Sequence, residues 1–342
     1  MTKPPKWLAN RISGIQGKGP GGSPLPEQYG DLVEDEYSPA VTWADFQKWV
    51  TNLDDDWSFR GHNIANWRLE ATLERATTQL VAATVGTTLH LSQQRLRPGD
   101  HEREILLEFQ RGAHQHLFAT PADDELVDWL ALMQHYGAPT RLLDWTRSPY
   151  VALYFALEKP QTKERSALWA IDRKWMDKES ARAIKKHDRR CPNPLDLRAM
   201  YRYINDILFK SDNPTVIVPA TPLRMNNRMT AQQGHFLCNL SHAESFDVSL
   251  FRMLRNSWTR KPPVRKLLVD HENRIEMLKE LRRMNIHSAS LFPGLGGFAH
   301  SLAIQLEIEL EADKTAWRQS TKKQITKIKK ARQLGSGQKR IP

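Results

Sequence analysis

Apolar residues recur at two different intervals along the chain, and the intervals separate predicted helices from predicted strands. Ile105, Leu106, Phe109, Ala113 and Leu117 share one face of a helix over 102–118. Leu126, Trp129, Leu130 and Met133 do the same over 124–136, where Gly137 then supplies the freedom in φ that a helix C-terminus uses. Trp43, Phe46 and Trp49 or Val50 give a short helix over 42–53, with Thr42 as N-cap and Asp45 near its first turn. Ser148 and Pro149 form an N-cap and first-turn pair for a wholly apolar stretch, 150–157, that turns polar at Glu158. Helical spacing returns over 273–284 and over 298–310, the latter leading into a basic tail.

Short apolar runs predict strands at 57–61, 167–171, 215–218, 235–238 and 264–269, and 287–292 reads as a strand or turn. After Pro139 the chain reads as extended, because proline pushes its predecessor out of the helical region. Helices and strands mix irregularly, which predicts an α+β fold with mixed core sheets flanked by helices. Residues 1–40, rich in Gly and Pro, read as a disordered or extended arm. The folded domain is expected over 41–312, with a polar insertion near 173–213 interrupted by Pro192 and Pro194, and 313–342 forms a basic C-terminal tail.

Charge sharpens that division. The chain has 342 residues and a net charge of +11, yet ten Lys or Arg and no acidic residue fall within 314–342. The remainder is close to neutral. Lys322, Lys323, Lys327, Lys329, Lys330 and Arg332 therefore read as an arm suited to nucleic-acid phosphates, with a solvated, partnerless tail as the alternative. Two distant cysteines, Cys191 and Cys238, support neither a disulfide framework nor a Cys-based zinc site, so no metal is expected. No apolar run reaches the ~18 residues of a membrane span, and the start lacks the apolar core of a signal peptide, so a soluble cytoplasmic protein is expected.

Polar chemistry concentrates between the helix ending near 136 and the apolar helix at 150. Gln134, His135, Thr140, Arg141, Asp144, Trp145 and Thr146 lie in or beside that connection, where rigid supports can hold reactive groups. The alternative is a strand whose Arg141 and Asp144 pair locally. Phe59-Arg60-Gly61 places a fork of donors at a strand end, where another backbone or a ligand can approach over the glycine. His62 and His135 are candidate proton acceptors, with Asp144 to orient one of them; together with Arg60 and Arg141 such a pair would also suit phosphodiester cleavage. Phe292-Pro-Gly-Leu-Gly-Gly297 either closes the domain against the last helix or cradles a phosphate, although it lacks the lysine of a P-loop.

Taken in order, Trp57-Ser-Phe-Arg-Gly-His62, Gln134-His-Tyr-Gly-Ala-Pro-Thr-Arg-Leu-Leu-Asp-Trp-Thr146, Arg228 with Gln233-Gly-His-Phe236, and Leu291-Phe-Pro-Gly-Leu-Gly-Gly297 resemble the FRG domain family over roughly 40–305. Arg60-Gly61 on a first strand, followed by Asp144-Trp-Thr146-Arg-Ser148-Pro, is in turn similar to the split architecture of ADP-ribosyltransferases. Those enzymes place a glutamate where this chain has Gln232-Gln233. The resemblance implies an NAD-dependent catalytic domain acting on a macromolecule, with nucleic acid as a candidate acceptor, as a toxin or anti-phage defence effector with an antitoxin or inhibitory partner. It implies that Arg60 clamps the NAD phosphates, that Gly61, Thr140, Arg141, Trp145 and Thr146 line the cofactor site, and that Gln233 holds the ribose. His135 or Asp144 would prepare the acceptor. A nuclease and a non-catalytic ligand- or nucleic-acid-binding module remain as rivals.

Overall fold

The computed structural model describes residues 41–54, 56–77, 98–160, 165–255 and 261–336. The arm expected over 1–40 and the last six residues of the tail lie outside them. Local signals start the helices. Helix α1 (Trp43–Thr51) opens on a reciprocal capping box between Thr42 and Asp45, which satisfies two of the N–H groups a helix start leaves orphaned. Helix α2 spans Pro98–Ala113, and α3 (Leu126–His135) ends where Gly137 takes φ +86°. Helix α4 (Pro149–Leu157) begins at the Ser148 side chain, which accepts from the Val151 N–H.

Six strands form one sheet: β1 (Trp57–His62), β2 (Leu142–Thr146), β3 (Ser166–Asp172), β4 (Ile217–Pro219), β5 (Gly234–Asn239) and β6 (Val264–Val269). Their spatial order is β4-β5-β2-β1-β3-β6, and every neighbouring pair is antiparallel. The fold is α+β, with helices on both faces of a single sheet. Period-2 alternation on β3 shows why: Leu168 and Ala170 enter one core and Trp169 and Ile171 the other. The first core holds α1 and α4 together with α9 (Arg274–Arg283). Helix α4 is apolar on all sides and almost wholly buried, each large aliphatic side chain contributing roughly 1.5–3 kcal/mol.

The second core takes in the stretch expected to be an insertion. Helices α5 (Arg173–His187) and α6 (Leu197–Ile207) bury Trp175, Met176, Ile184, Ile204 and Ile207 against the sheet. Their basic residues face solvent while apolar residues at helical spacing face inward, so the segment is part of the shared core. The remaining helices are α7 (Asn227–Ala231), α8 (Phe246–Arg255), α10 (Ser288–Leu291) and α11 (Leu295–Ser336). Residues 288–291 are thus helical where a strand or turn was expected. The helix expected over 298–310 runs on unbroken through 313 to Ser336, because nothing in 311–332 is a proline or glycine that would stop it.

Candidate functional site

The sheet is weakest at its centre. Strands β1 and β3 keep six residues in register and β2 and β5 keep five, but β1 and β2 share only Phe59 opposite Thr146. The two strands part beyond that point, and Arg60 sits in the gap. One Nη1–H donates to the main-chain oxygen of Asp144 at 2.6 Å, and Nε–H donates to His62 Nε2 at 3.0 Å. No carboxylate among the described residues is within ion-pair distance, and none of their atoms accepts from Nη2. Burial pulls the guanidinium pKa down to about 10, with Asp144 opposing.

His62 is committed by that bond. With Nε2 accepting, the remaining proton sits on Nδ1, and burial followed by the Arg60 charge holds the ring well below its ordinary pKa. It orients Arg60 as a neutral acceptor. Gly61 has a separate reason to be glycine. A Cβ there would lie 2.0 Å from the Ala152 carbonyl oxygen and 2.6 Å from the Ala156 nitrogen, so α4 can rest on β1 only over a bare backbone.

On the other lip of the gap, the Asp144 carboxylate is exposed and accepts from Gln134 Nε2 at 2.9 Å, while Thr140 donates its hydroxyl to Gln134 Oε1. Asp144 therefore orients no histidine and forms no pair with Arg141. His135, also at the cavity, meets Asn226 at 3.4 Å through Nδ1, and burial followed by Arg228 lowers its pKa. Trp145 is buried in the wall. Thr146 donates to the Gln232 carbonyl at 2.6 Å and accepts from the Ser148 N–H at 3.0 Å, tying β2 to the turn before β5.

Three expected site residues lie outside the cavity. Thr140 supports Gln134 from behind. Arg141 is buried against Glu102, with Nε 2.5 Å from the carboxylate, and donates to the carbonyls of Leu208 and Leu240. Its charge is met by a buried carboxylate and it does not line the cavity. Gln233 has φ +49° in the turn between α7 and β5 and points to solvent, which rules out the expected grip on a ribose; its neighbour Gln232 borders the cavity instead. Two of the three glycines of 294–297 have structural reasons, since Gly294 takes φ +117° and a Cβ on Gly297 would lie 1.9 Å from the Phe292 oxygen, while a Cβ on Gly296 would meet open space.

The cavity between the parted strands measures about 770 Å³ and gathers Arg60, Gly61, His62, Gln134, His135, Asp144, Trp145, Thr146 and Arg228. It also holds residues from several other segments. Arg68 and Glu70 come from the irregular stretch after β1, Arg75 from the helical run at 72–77, Phe155 and Glu158 from the end of α4, and Phe292 from beyond α10. Of these, Glu158 had a signal in the abrupt change from apolar to polar and Phe292 in the glycine-rich stretch it opens, whereas Arg68, Glu70, Arg75 and Phe155 had none. Burial raises its pKa, against His300, Lys159 and Arg228. Arg68 is held by both Asp247 oxygens at 2.8 and 2.9 Å, and the Arg228 guanidinium stacks 4.7 Å from the Phe292 ring centre. Five cationic side chains and three carboxylates line the cavity, although one of the five, Arg68, is paired with Asp247 and Glu70.

The basic residues of the tail lie elsewhere. Lys322, Lys323, Lys327 and Lys329 are exposed along α11, and Lys330 and Arg332 fall on the same helix. Among the described residues no helix is long and apolar enough to cross a membrane. Residues 55–165, which carry β1, the 134–146 connection and α4, match the FRG domain. No curated protein and no solved structure matches the chain.

Proposed function

The chain carries an FRG domain, and from that premise we propose that its cavity binds NAD and that the domain transfers ADP-ribose to a macromolecule, as a toxin or defence effector. One observation carries the reading. Arg60 lines the cavity where two central strands part, bonded among the described residues to a carbonyl and a neutral imidazole and to no carboxylate. A pyrophosphate oxygen would supply the counter-charge that the described residues do not, and the guanidinium fork favours two charge-assisted bonds to it. Phe155, Phe292 and the half-exposed Trp67 offer faces and edges to planar rings, and the volume lies in the range of about 300–1,000 Å³ typical of small-molecule sites.

When bound, NAD would supply a glycosidic carbon on which positive charge develops as nicotinamide leaves. Asp144 and Glu158 are the cavity carboxylates able to oppose such charge, which takes up the part that Gln233 cannot play. His135, held neutral near physiological pH, is the group able to accept a proton from an incoming nucleophile. Nucleic acid is a suitable acceptor because the exposed lysines of α11 match a phosphate backbone. The nuclease alternative loses the pair that motivated it, since Gln134 and not a histidine holds Asp144.

Calorimetric titration with NAD, run beside thermal melts, tests the reading. Wild type should bind, Arg60→Lys should bind more weakly, and Arg60→Ala should lose roughly 2–5 kcal/mol while melting like wild type. Nicotinamide release separates transfer from mere binding. Failure of the folded wild-type protein to bind NAD would overturn the proposal.

A further inference from the structure

Arg60 and Asp144 are hydrogen-bonded to each other and yet form no ion pair. The guanidinium donates to the main-chain oxygen of Asp144 at 2.6 Å, while the carboxylate of the same residue accepts from Gln134 Nε2, 2.9 Å away. Carboxylate and carbonyl of one aspartate are separated by only a few covalent bonds, so opposite charge would draw an untethered Asp144 side chain onto the arginine. The hydrogen bonds around Gln134 show what tethers it.

Gln134 is the penultimate residue of α3, and the way that helix ends supplies its partner. The Gly137 N–H donates to the Gln134 carbonyl at 3.1 Å and the Ala138 N–H to the Met133 carbonyl at 2.9 Å, a helix stop that folds the chain back on itself. Thr140 thereby returns beside Gln134, fully buried. A third segment pins its main chain: the Thr140 N–H donates to the Thr72 hydroxyl at 3.0 Å, and the Thr140 carbonyl accepts from the Leu73 N–H at 3.1 Å. Thr140 Oγ1 accepts from the Leu142 N–H at 3.2 Å, which leaves the hydroxyl proton for Gln134 Oε1. With its oxygen so engaged, the Gln134 amide offers Asp144 an N–H, and a carboxylate oxygen accepts it.

We propose that Gln134, oriented by Thr140, is a positioning residue that holds the Asp144 carboxylate off Arg60, so that the cavity keeps an open cation and an open anion side by side. Gln134 takes Oδ2 of Asp144, whereas Oδ1 accepts from no described residue and is left for a ligand hydroxyl. The ligand class such a pair reads is a phosphorylated sugar, whose phosphate meets Arg60 and whose hydroxyl meets Asp144. A closed Arg60–Asp144 pair would offer neither. The ligand class rests on the nucleotide reading of the cavity; the role of Gln134 is a property of the free protein.

Crystal structures of the ligand-free variants test that role directly. Gln134→Leu should bring the Asp144 carboxylate within about 4 Å of the Arg60 guanidinium, the distance of an ion pair, and its affinity for ADP-ribose by calorimetry should fall about tenfold. Adding Asp144→Asn should return affinity to that of Asp144→Asn alone, because an amide cannot neutralise Arg60 while its oxygen still accepts a hydroxyl. Thr140→Val should weaken binding in the same way, and Thr140→Ser, which keeps the hydroxyl, should not. A carboxylate that stays off Arg60 in Gln134→Leu, an affinity equal to wild type, or a double variant no better than Gln134→Leu would overturn the proposal. Should Gln134→Leu fail to fold, the same readouts on Thr140→Val decide. Failure of wild type to bind ADP-ribose would strike the nucleotide reading and the ligand class with it, while the ligand-free structures would still decide whether Gln134 holds the pair open.

Discussion

Arg60 and Arg141 both sit on or beside central strands, and both belong to the stretches that mark this domain, yet their surroundings are opposite. Arg141 is closed in by the Glu102 carboxylate, two carbonyl oxygens and the Phe209 ring, 4.9 Å away. Glu102 is fully buried; burial alone would raise its pKa, but Arg141 and His242 hold it below the ordinary carboxylate value. Arg60 has a carbonyl, an imidazole and an open cavity. A guanidinium whose charge is met by a buried carboxylate stabilises the fold; one without a carboxylate partner beside a cavity is arranged for something that arrives.

The largest expected effect breaks the satisfied side. Arg141→Ala leaves Glu102 without its main counter-charge in the core and should cost about 3–5 kcal/mol of stability by denaturant melts, with ligand binding following the folded fraction. A mild loss would mean that His242 alone can hold Glu102, and Arg141 would then be less structural than its contacts imply.

Gly61→Ala attacks the support beneath Arg60. The added methyl meets the α4 backbone and not a flexible side-chain tip, so α4 must lift from β1 at a cost of about 3 kcal/mol. Restoration of normal melting in this variant would show that the glycine serves ligand approach and not packing.

His62 gives a pH test of the same side. The unfolded chain takes up a proton on this ring as pH falls below 6.5, while the folded chain, with its pKa held well below, does not. Stability from this residue is therefore complete above pH 6.5 and declines as the pH falls below it. His62→Gln should remove that share of the slope between pH 7 and 5. An unchanged slope would place the proton elsewhere, with His235, itself lowered to about 3, as the next group to examine.

The smallest effect on folding belongs to Asp144→Asn. Its side chain is exposed, and an asparagine oxygen can still accept from Gln134, so melting should move by less than about 0.5 kcal/mol. Transfer of label from NAD should fall well beyond any loss of folded protein. Equal losses in both would make Asp144 an anchor for Gln134 and nothing more.

Much of the frame was legible in the chain. The caps at Thr42 and Ser148, the φ of Gly137 and the bounds of β6 follow from residues within a few positions of one another, because caps, turns and alternation are local. The motif stretches likewise brought Arg60, His62, His135, Asp144 and Arg228 to one cavity. Which arginine is spent and which is free was decided only by the tertiary fold: Glu102 reaches Arg141 across 39 positions, and the Leu208 and Leu240 carbonyls across 67 and 99. Gln232 and Gln233 are chemically the same, and a single positive φ sends one to the cavity and the other to solvent. Local pattern sets where a side chain starts, but its role depends on which polar groups from distant segments arrive to satisfy it.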